Sequence, residues 1–219
     1  MLKGLYGLRR NVELYGLSKG NKIKTFPIVF RDNFDRDQTT PATKLENSPI
    51  SSSGLPWTWD GIISGGIQLI EQNAHCETSN SIGTAYIAYD HGTRNHYVQY
   101  AAPSILNLTG SFMCCRMGDR NNFVGIRTGS ESGTGTGVVK IFRRNSGTLK
   151  SLYVSGANAI TQLDIVRLEC REDTWSYLKN GILVTTGNIG VVMNGTKTGI
   201  VARTISGGGV CDDFESSSL

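Results

Sequence analysis

Glu169-Cys170-Arg171-Glu172-Asp173 is the nearest approach this 219-residue chain makes to a pair of catalytic carboxylates. Glycoside hydrolysis needs two such groups facing one substrate groove, and on a strand only alternate residues share a face. Glu169 and Asp173 do share one, but Arg171 stands between them and Glu172 points the other way. No catalytic dyad follows, and the chain is expected not to be an enzyme. His91 and His96 lie five apart beside Asp90, and His75 adjoins Cys76, yet neither spacing matches a recurrent zinc pattern. They are expected to be surface turn histidines. No glycine-rich loop sets a lysine and a hydroxyl for phosphate, and no serine or cysteine has a base partner legible in the sequence.

Residue types suited to binding are more plentiful. A pyranose ring is held by an aromatic face flanked by amides and carboxylates. Trp59, Tyr89, Asp90, Arg94 and Tyr97 are the candidates for such a surface, with His91, Asn95 and Tyr100 nearby. Tyrosines half-buried at a sheet edge would read the same way. Trp57 shares a face with Trp59 if that stretch is extended. Asp119 and Asn121, with Asn122, offer hard oxygens to a calcium ion. Asp32, Asp212 and Asp213 would meet if the two ends of the chain pair. Turn residues that bond their own backbone explain the same pattern and are the preferred reading, so no cofactor is expected beyond that one ion.

The elements that must position these residues are strands. Phe30-Arg31-Asp32-Asn33-Phe34 near the start and Val210-Cys211-Asp212-Asp213-Phe214-Glu215 at the end each alternate apolar and polar residues, giving a strand with one buried face. Side by side they would close the domain on itself. Between them, β-prone runs punctuated by 27 glycines predict strands near 67–71, 75–78, 85–89, 97–101, 110–117, 123–127, 137–143, 148–154, 165–170, 175–179, 182–186 and 196–202. Asn180-Gly181 is the strongest hairpin signal. Cys114 and Cys115 are neighbours on one strand and must face opposite sides. No amphipathic helix is evident and no apolar run reaches membrane-spanning length.

Charge divides the chain in two. Residues 1–29 hold Lys3, Arg9, Arg10, Lys19, Lys22 and Lys24 against Glu13 alone, while the remainder is close to neutral. Such a stretch suits phosphate neutralisation on nucleic acid, an acidic protein surface or a plain solvated tail, and nucleic acid is the less expected partner. The arm, residues 1–27, repeats a Leu-Tyr-Gly-Leu core at Leu5-Tyr6-Gly7-Leu8 and Leu14-Tyr15-Gly16-Leu17. These residues, with Arg9 and Arg10, are too apolar for a linker and too few for a core, so they are expected to dock on a neighbouring subunit. The first ten residues lack an apolar stretch of secretory length, which points to synthesis in a cytoplasm.

The order of motifs from Asp32-Asn33-Phe34-Asp35-Arg36, through Leu55-Pro56-Trp57-Thr58, Gly66-Ile67-Gln68-Leu69-Ile70, Asn122-Phe123-Val124-Gly125-Ile126, Val166-Arg167-Leu168-Glu169-Cys170 and the Asn180-Gly181 hairpin, to Asp212-Asp213-Phe214, resembles the concanavalin A-like, laminin-G-like jelly rolls of bacteriophage tail and other virion proteins. The resemblance spans roughly residues 28–215 and implies an all-β, two-sheet antiparallel jelly-roll sandwich over 28–219, preceded by an extended N-terminal arm. It further implies a non-enzymatic virion component (tail, neck or head decoration) that is made in the host cytoplasm. Such a component would dock on other virion proteins through its arm and assemble as a homo-oligomer. The alternative it implies is a carbohydrate-binding module for host-surface glycan.

Overall fold

Asn180-Gly181 shows most directly how local chemistry sets the architecture. A two-residue hairpin of the kind that matches strand twist needs positive φ at both central residues, and Asn180 and Gly181 stand at +50° and +78°. The turn delivers Lys179 opposite Ile182, as the sequence predicts. The computed structural model describes residues 27–33, 51–56, 58–61, 67–70, 73–76, 84–102, 111–128, 137–161, 163–203 and 210–219; for 59–61, 67–70, 73–76, 84–87, 111–112, 202–203 and 210–212 only the backbone is described.

Every regular element among the described residues is a strand: β1 (Val29–Asp32), β2 (Thr58–Gly61), β3 (Ile67–Ile70), β4 (Asn73–Cys76), β5 (Thr84–Asp90), β6 (His96–Ala101), β7 (Ser111–Asp119), β8 (Asn122–Thr128), β9 (Val139–Asn145), β10 (Thr148–Val154), β11 (Ile165–Arg171), β12 (Thr174–Lys179), β13 (Ile182–Asn188), β14 (Lys197–Arg203) and β15 (Val210–Ser218). The expected strands are present, with β4 beginning two residues before its predicted start. β2 was not foreseen, because Thr-Trp-Asp-Gly is four residues long without alternation.

All pairings are antiparallel and form two sheets. One runs β13-β12-β11-β6-β15-β4-β3, with β1 also pairing with β15; the other runs β10-β9-β8-β7-β14-β5-β2. The two ends of the chain meet as the alternating bookends predict, with Arg31 opposite Glu215 and Asp32 opposite Phe214. Between the sheets lie Phe30, Val98, Tyr100, Leu168, Trp175, Tyr177 and Phe214 from the first, and Met113, Cys115, Val124, Ile126, Ile141 and Ile200 from the second. Gly187 exists for this packing: a Cβ there would sit 2.6 Å from the Trp175 ring.

A polar seam crosses the core. Thr198 of β14 donates to Ser216 of β15 (2.8 Å), and Nε2 of His91 lies 3.0 Å and 3.1 Å from those two hydroxyls. His96, wholly buried, receives the Arg116 backbone N–H at Nε2 (2.7 Å). Its Nδ1 must then carry the proton donated to the Thr93 carbonyl (2.9 Å), which fixes a neutral tautomer. Burial pushes His91 down to about 4 and His96 to about 3. The expectation of surface turn histidines is therefore corrected for His91 and His96: in the turn at 91–95 only Gly92 is fully exposed, and both rings fold inward, while the side chain of His75 lies outside the described residues. Arg116, at φ +52°, is also wholly buried, its guanidinium donating to the carbonyls of Met193 (3.0 Å) and Glu172.

Candidate ligand-binding face

The outer face of the eight-stranded sheet follows from strand alternation. Val98, Tyr100, Val166, Leu168 and Cys170 point inward, so Tyr97, Gln99, Arg167 and Glu169 must point out. Register then aligns them in two cross-strand rows. Arg31, Glu215, Gln99 and Arg167 form one row; Ser217, Tyr97, Glu169 and Ser176 form the next. Side-chain bonds tie the rows together. Arg31 Nε meets Glu215 Oε2 at 2.6 Å, and the Tyr97 hydroxyl donates to Glu215 Oε1 at 2.5 Å. Arg167 lies 3.6 Å above the Tyr97 ring and reaches Glu169 Oε1 at 2.6 Å, while Arg171 approaches the other Glu169 oxygen at 3.5 Å. Burial, together with the Glu215 bond, pushes the Tyr97 hydroxyl well above the usual phenol range.

A backbone irregularity opens a cleft at one end of this face. Asp212 pairs with Ala101 and Glu215 with Gln99, so Asp213 and Phe214 together oppose Tyr100. Asp213 takes φ +48° at this bulge, Phe214 turns into the core and Glu215 turns out. Arg31, Asn33, Ser52, Gln99, Asp213 and Glu215 line the resulting open cleft of about 730 Å³. Its wall is braced by Ser52, whose hydroxyl donates to the Arg31 carbonyl (3.1 Å) and accepts the Asn33 N–H (3.2 Å).

The residues singled out from the sequence do not form one cluster. Tyr89 and Asp90 share a second open cleft, about 870 Å³, with Pro27, Ile28, His91, Ser218 and Leu219. Tyr89 stacks on Phe30 (centroids 4.7 Å apart), and burial with the Asp90 charge raises its hydroxyl. Burial opposes ionisation of Asp90, but the Gly92 N–H, the Thr196 hydroxyl and Lys197 outweigh it and hold the carboxyl below its ordinary value. Arg94 points elsewhere, to Asn194 (3.1 Å) and Glu172 (3.2 Å). Tyr97 is on the outer face with its ring capped by Arg167. Trp57 and the side chain of Trp59 lie outside the described residues, as do the arm residues Leu5, Tyr6, Leu8, Arg9, Arg10, Leu14, Tyr15 and Leu17. The sequence reading missed Arg31, Gln99, Arg167 and Glu215 as a group. The signal was present in the alternation of the two bookends, since pairing them places Arg31 against Glu215.

Two other expectations meet the geometry. Both Asp119 carboxylate oxygens accept from the Asn122 amide (3.0 Å each), and one also takes the Asn121 N–H (2.6 Å). Asn122 Oδ1 accepts the Ser146 N–H at 2.9 Å. These bonds hold the loop on itself, as expected of turn residues, and among the described residues no group of three or more His, Cys, Asp or Glu gathers for a metal. Cys114 and Cys115 face opposite sides as alternation requires, and both are wholly buried. Burial raises both thiols.

No family model matches the sequence, and no curated protein matches it. Solved structures do. A prokaryotic β-1,3-1,4-glucanase (lichenase) from a mouse hindgut metagenome superposes with a TM-score of 0.51 at 13% identity, covering 87% of this chain and 98% of that one. The Bacillus licheniformis β-glucanase gives 0.50 at 12% identity, again over 87% and 98%. The exoplasmic/lumenal domain of VIP36, in its Ca2+/Man-bound form, gives 0.50 at 11% identity over 77% and 85%. The fold is a concanavalin A-like jelly roll. At these identities the likeness extends to the fold alone, and the all-β two-sheet sandwich expected from the sequence is borne out.

Proposed function

We propose that this chain is a carbohydrate-binding module that holds a saccharide in the cleft of Arg31, Asn33, Ser52, Gln99, Asp213 and Glu215. One observation carries the reading: guanidinium, amide and carboxylate groups of β1, β6 and β15 converge there with the Asn33 amide and the Ser52 turn hydroxyl, the donor and acceptor set that reads neighbouring sugar hydroxyls. The VIP36 domain of like fold is Man-bound and the other two structures are β-glucanases, which supports the same class of ligand. Binding rather than hydrolysis is favoured because Glu169 and Glu215, two carboxylates of this face, are each held by arginine. A glycan array followed by calorimetry tests it. Gln99→Ala and Arg31→Ala should each weaken the best ligand about tenfold, the worth of one well-placed charged or neutral hydrogen bond. Loss on Asp90→Ala with no loss on Gln99→Ala would move the site to the cleft of Tyr89 and Asp90.

A second reading rests on the arm. Its Leu-Tyr-Gly-Leu repeat and excess of six basic groups over one acidic favour docking on other subunits, as in a bacteriophage virion component displaying this sandwich. The two readings are compatible. Deleting residues 1–27 should abolish incorporation into particles and leave glycan affinity unchanged; full incorporation without those residues would discard the arm's role.

A further inference from the structure

The centre of the sandwich brings two sulfur atoms together from facing sheets. Cys115 of β7 and Cys170 of β11 are both wholly buried in the inter-sheet core. β7 lies midway along the seven-stranded sheet, and β11 lies beside β6 in the middle of the other. Facing sheets ordinarily stand about 10 Å apart. Here Cα atoms of β7 come within 8 Å of Cα atoms in both β6 and β11, so the layers pinch together. Cys115 Sγ reaches the facing backbone itself, 3.5 Å from the Leu168 carbonyl oxygen and 3.7 Å from that of His96. Cys170 is the register partner of His96 and follows Leu168 by two residues on the same face. Its thiol therefore lies beside that of Cys115, and the two bond to each other. Cys114 points to the opposite side of β7, into the other apolar cluster.

A disulfide needs Cα atoms roughly 4.4–6.8 Å apart, a span that ordinary sheet separation forbids and this pinch permits. We propose that Cys115 and Cys170 join as a disulfide across the sandwich when the chain folds in oxidised glutathione, a covalent staple that the same chain folded in reduced glutathione lacks. One cysteine, as thiolate, attacks a sulfur of the glutathione disulfide and expels a glutathione thiolate. The second cysteine then displaces the remaining glutathione from the mixed disulfide. The protein S–S bond forms, the glutathione S–S bond breaks, and the two cysteine protons end on the two glutathione molecules released. Burial raises the Cys115 thiol and leaves both sulfurs out of reach of solvent, so the exchange belongs to the folding chain rather than to the closed core.

Refolding the full chain from urea, in parallel with reduced glutathione alone and with the oxidised and reduced mixture, tests this. After alkylation, intact mass and a peptide map read the bonds, and a far-UV melt reads stability. The mixture should yield a folded chain lacking two hydrogens, with Cys115 linked to Cys170. Its thermal midpoint should stand roughly 10 °C above that of the reduced chain, as closing a loop of about fifty residues would give, and should fall back when reductant is added. Cys170→Ala should show no difference between the two conditions, whereas Cys114→Ala should keep it. Where dilution gives no folded chain, the native protein held with the same mixture just below its urea midpoint gives the same reading. Alkylation of all five cysteines in the oxidised folded chain, a link made instead by Cys76, Cys114 or Cys211, or a 115–170 link that fails to raise the midpoint would each overturn the proposal.

Discussion

The two outward faces of this sandwich are built from the same alternation and have opposite chemistry. On the eight-stranded sheet the outward positions hold Arg31, Glu215, Tyr97, Gln99, Arg167 and Glu169, linked by ion pairs and by an arginine stacked on a tyrosine. On the seven-stranded sheet, beside Arg127, Lys140 and Arg144 of β8 and β9, they hold Ala88, Cys114, Met117, Phe123, Phe142 and Val201, a second apolar cluster whose members are no more than 6% exposed. Polar groups tied to one another fill the first face, and a buried apolar cluster rimmed by cations fills the second. A polar ligand finds fixed hydrogen-bonding groups on the first, while on the second the described cluster offers it apolar side chains shut away from water.

The seam between the faces should give the largest effect, because both sheets depend on it. His91 and His96 stay neutral in the fold down to about 4 and about 3, whereas in the unfolded chain they take protons near their ordinary value of 6.5. The unfolded state therefore binds more protons as pH falls from 6.5 to 4, and stability drops across that window by at most about 2.7 kcal/mol per pH unit for the two groups together. Urea midpoints between pH 7 and 4 measure it, and His91→Gln should flatten the slope. Replacing Phe123, which is fully buried, with alanine should cost about 3–5 kcal/mol although the residue points away from the inter-sheet core. A cost below about 1 kcal/mol, the level of an ordinary surface change, would make the two faces alike. Tyr97→Phe removes only the bond to Glu215 and should cost about 1–2 kcal/mol in the same assay. Gln99→Ala should leave stability within about 0.5 kcal/mol, so that any loss of ligand is read as lost contact rather than lost fold.

Much of this contrast was legible in residue order. Alternation in Phe30-Arg31-Asp32 and in the closing strand marks which residues face out, and Asn180-Gly181 dictates its own turn. Other features were not. β8 reads as nearly continuous burial because both its faces are covered, so periodicity could not say which residues belong to which layer. The inward folding of His91 depends on hydroxyls from β14 and β15 more than 100 residues away, and that of His96 on the Arg116 N–H of β7, pairings that no local pattern encodes. The cleft beside Arg31 and Gln99 arises from a bulge at Asp213, where an ordinary residue adopts positive φ that its type alone does not announce.

The direct test of the two-face account is a map of backbone amide shifts as the best glycan from an array is titrated into the full chain. The account expects changes centred on Arg31, Gln99, Arg167 and Glu215, with Phe123 and Phe142 unmoved. Changes centred on β7, β8 and β9, or an array on which no glycan binds, would contradict it.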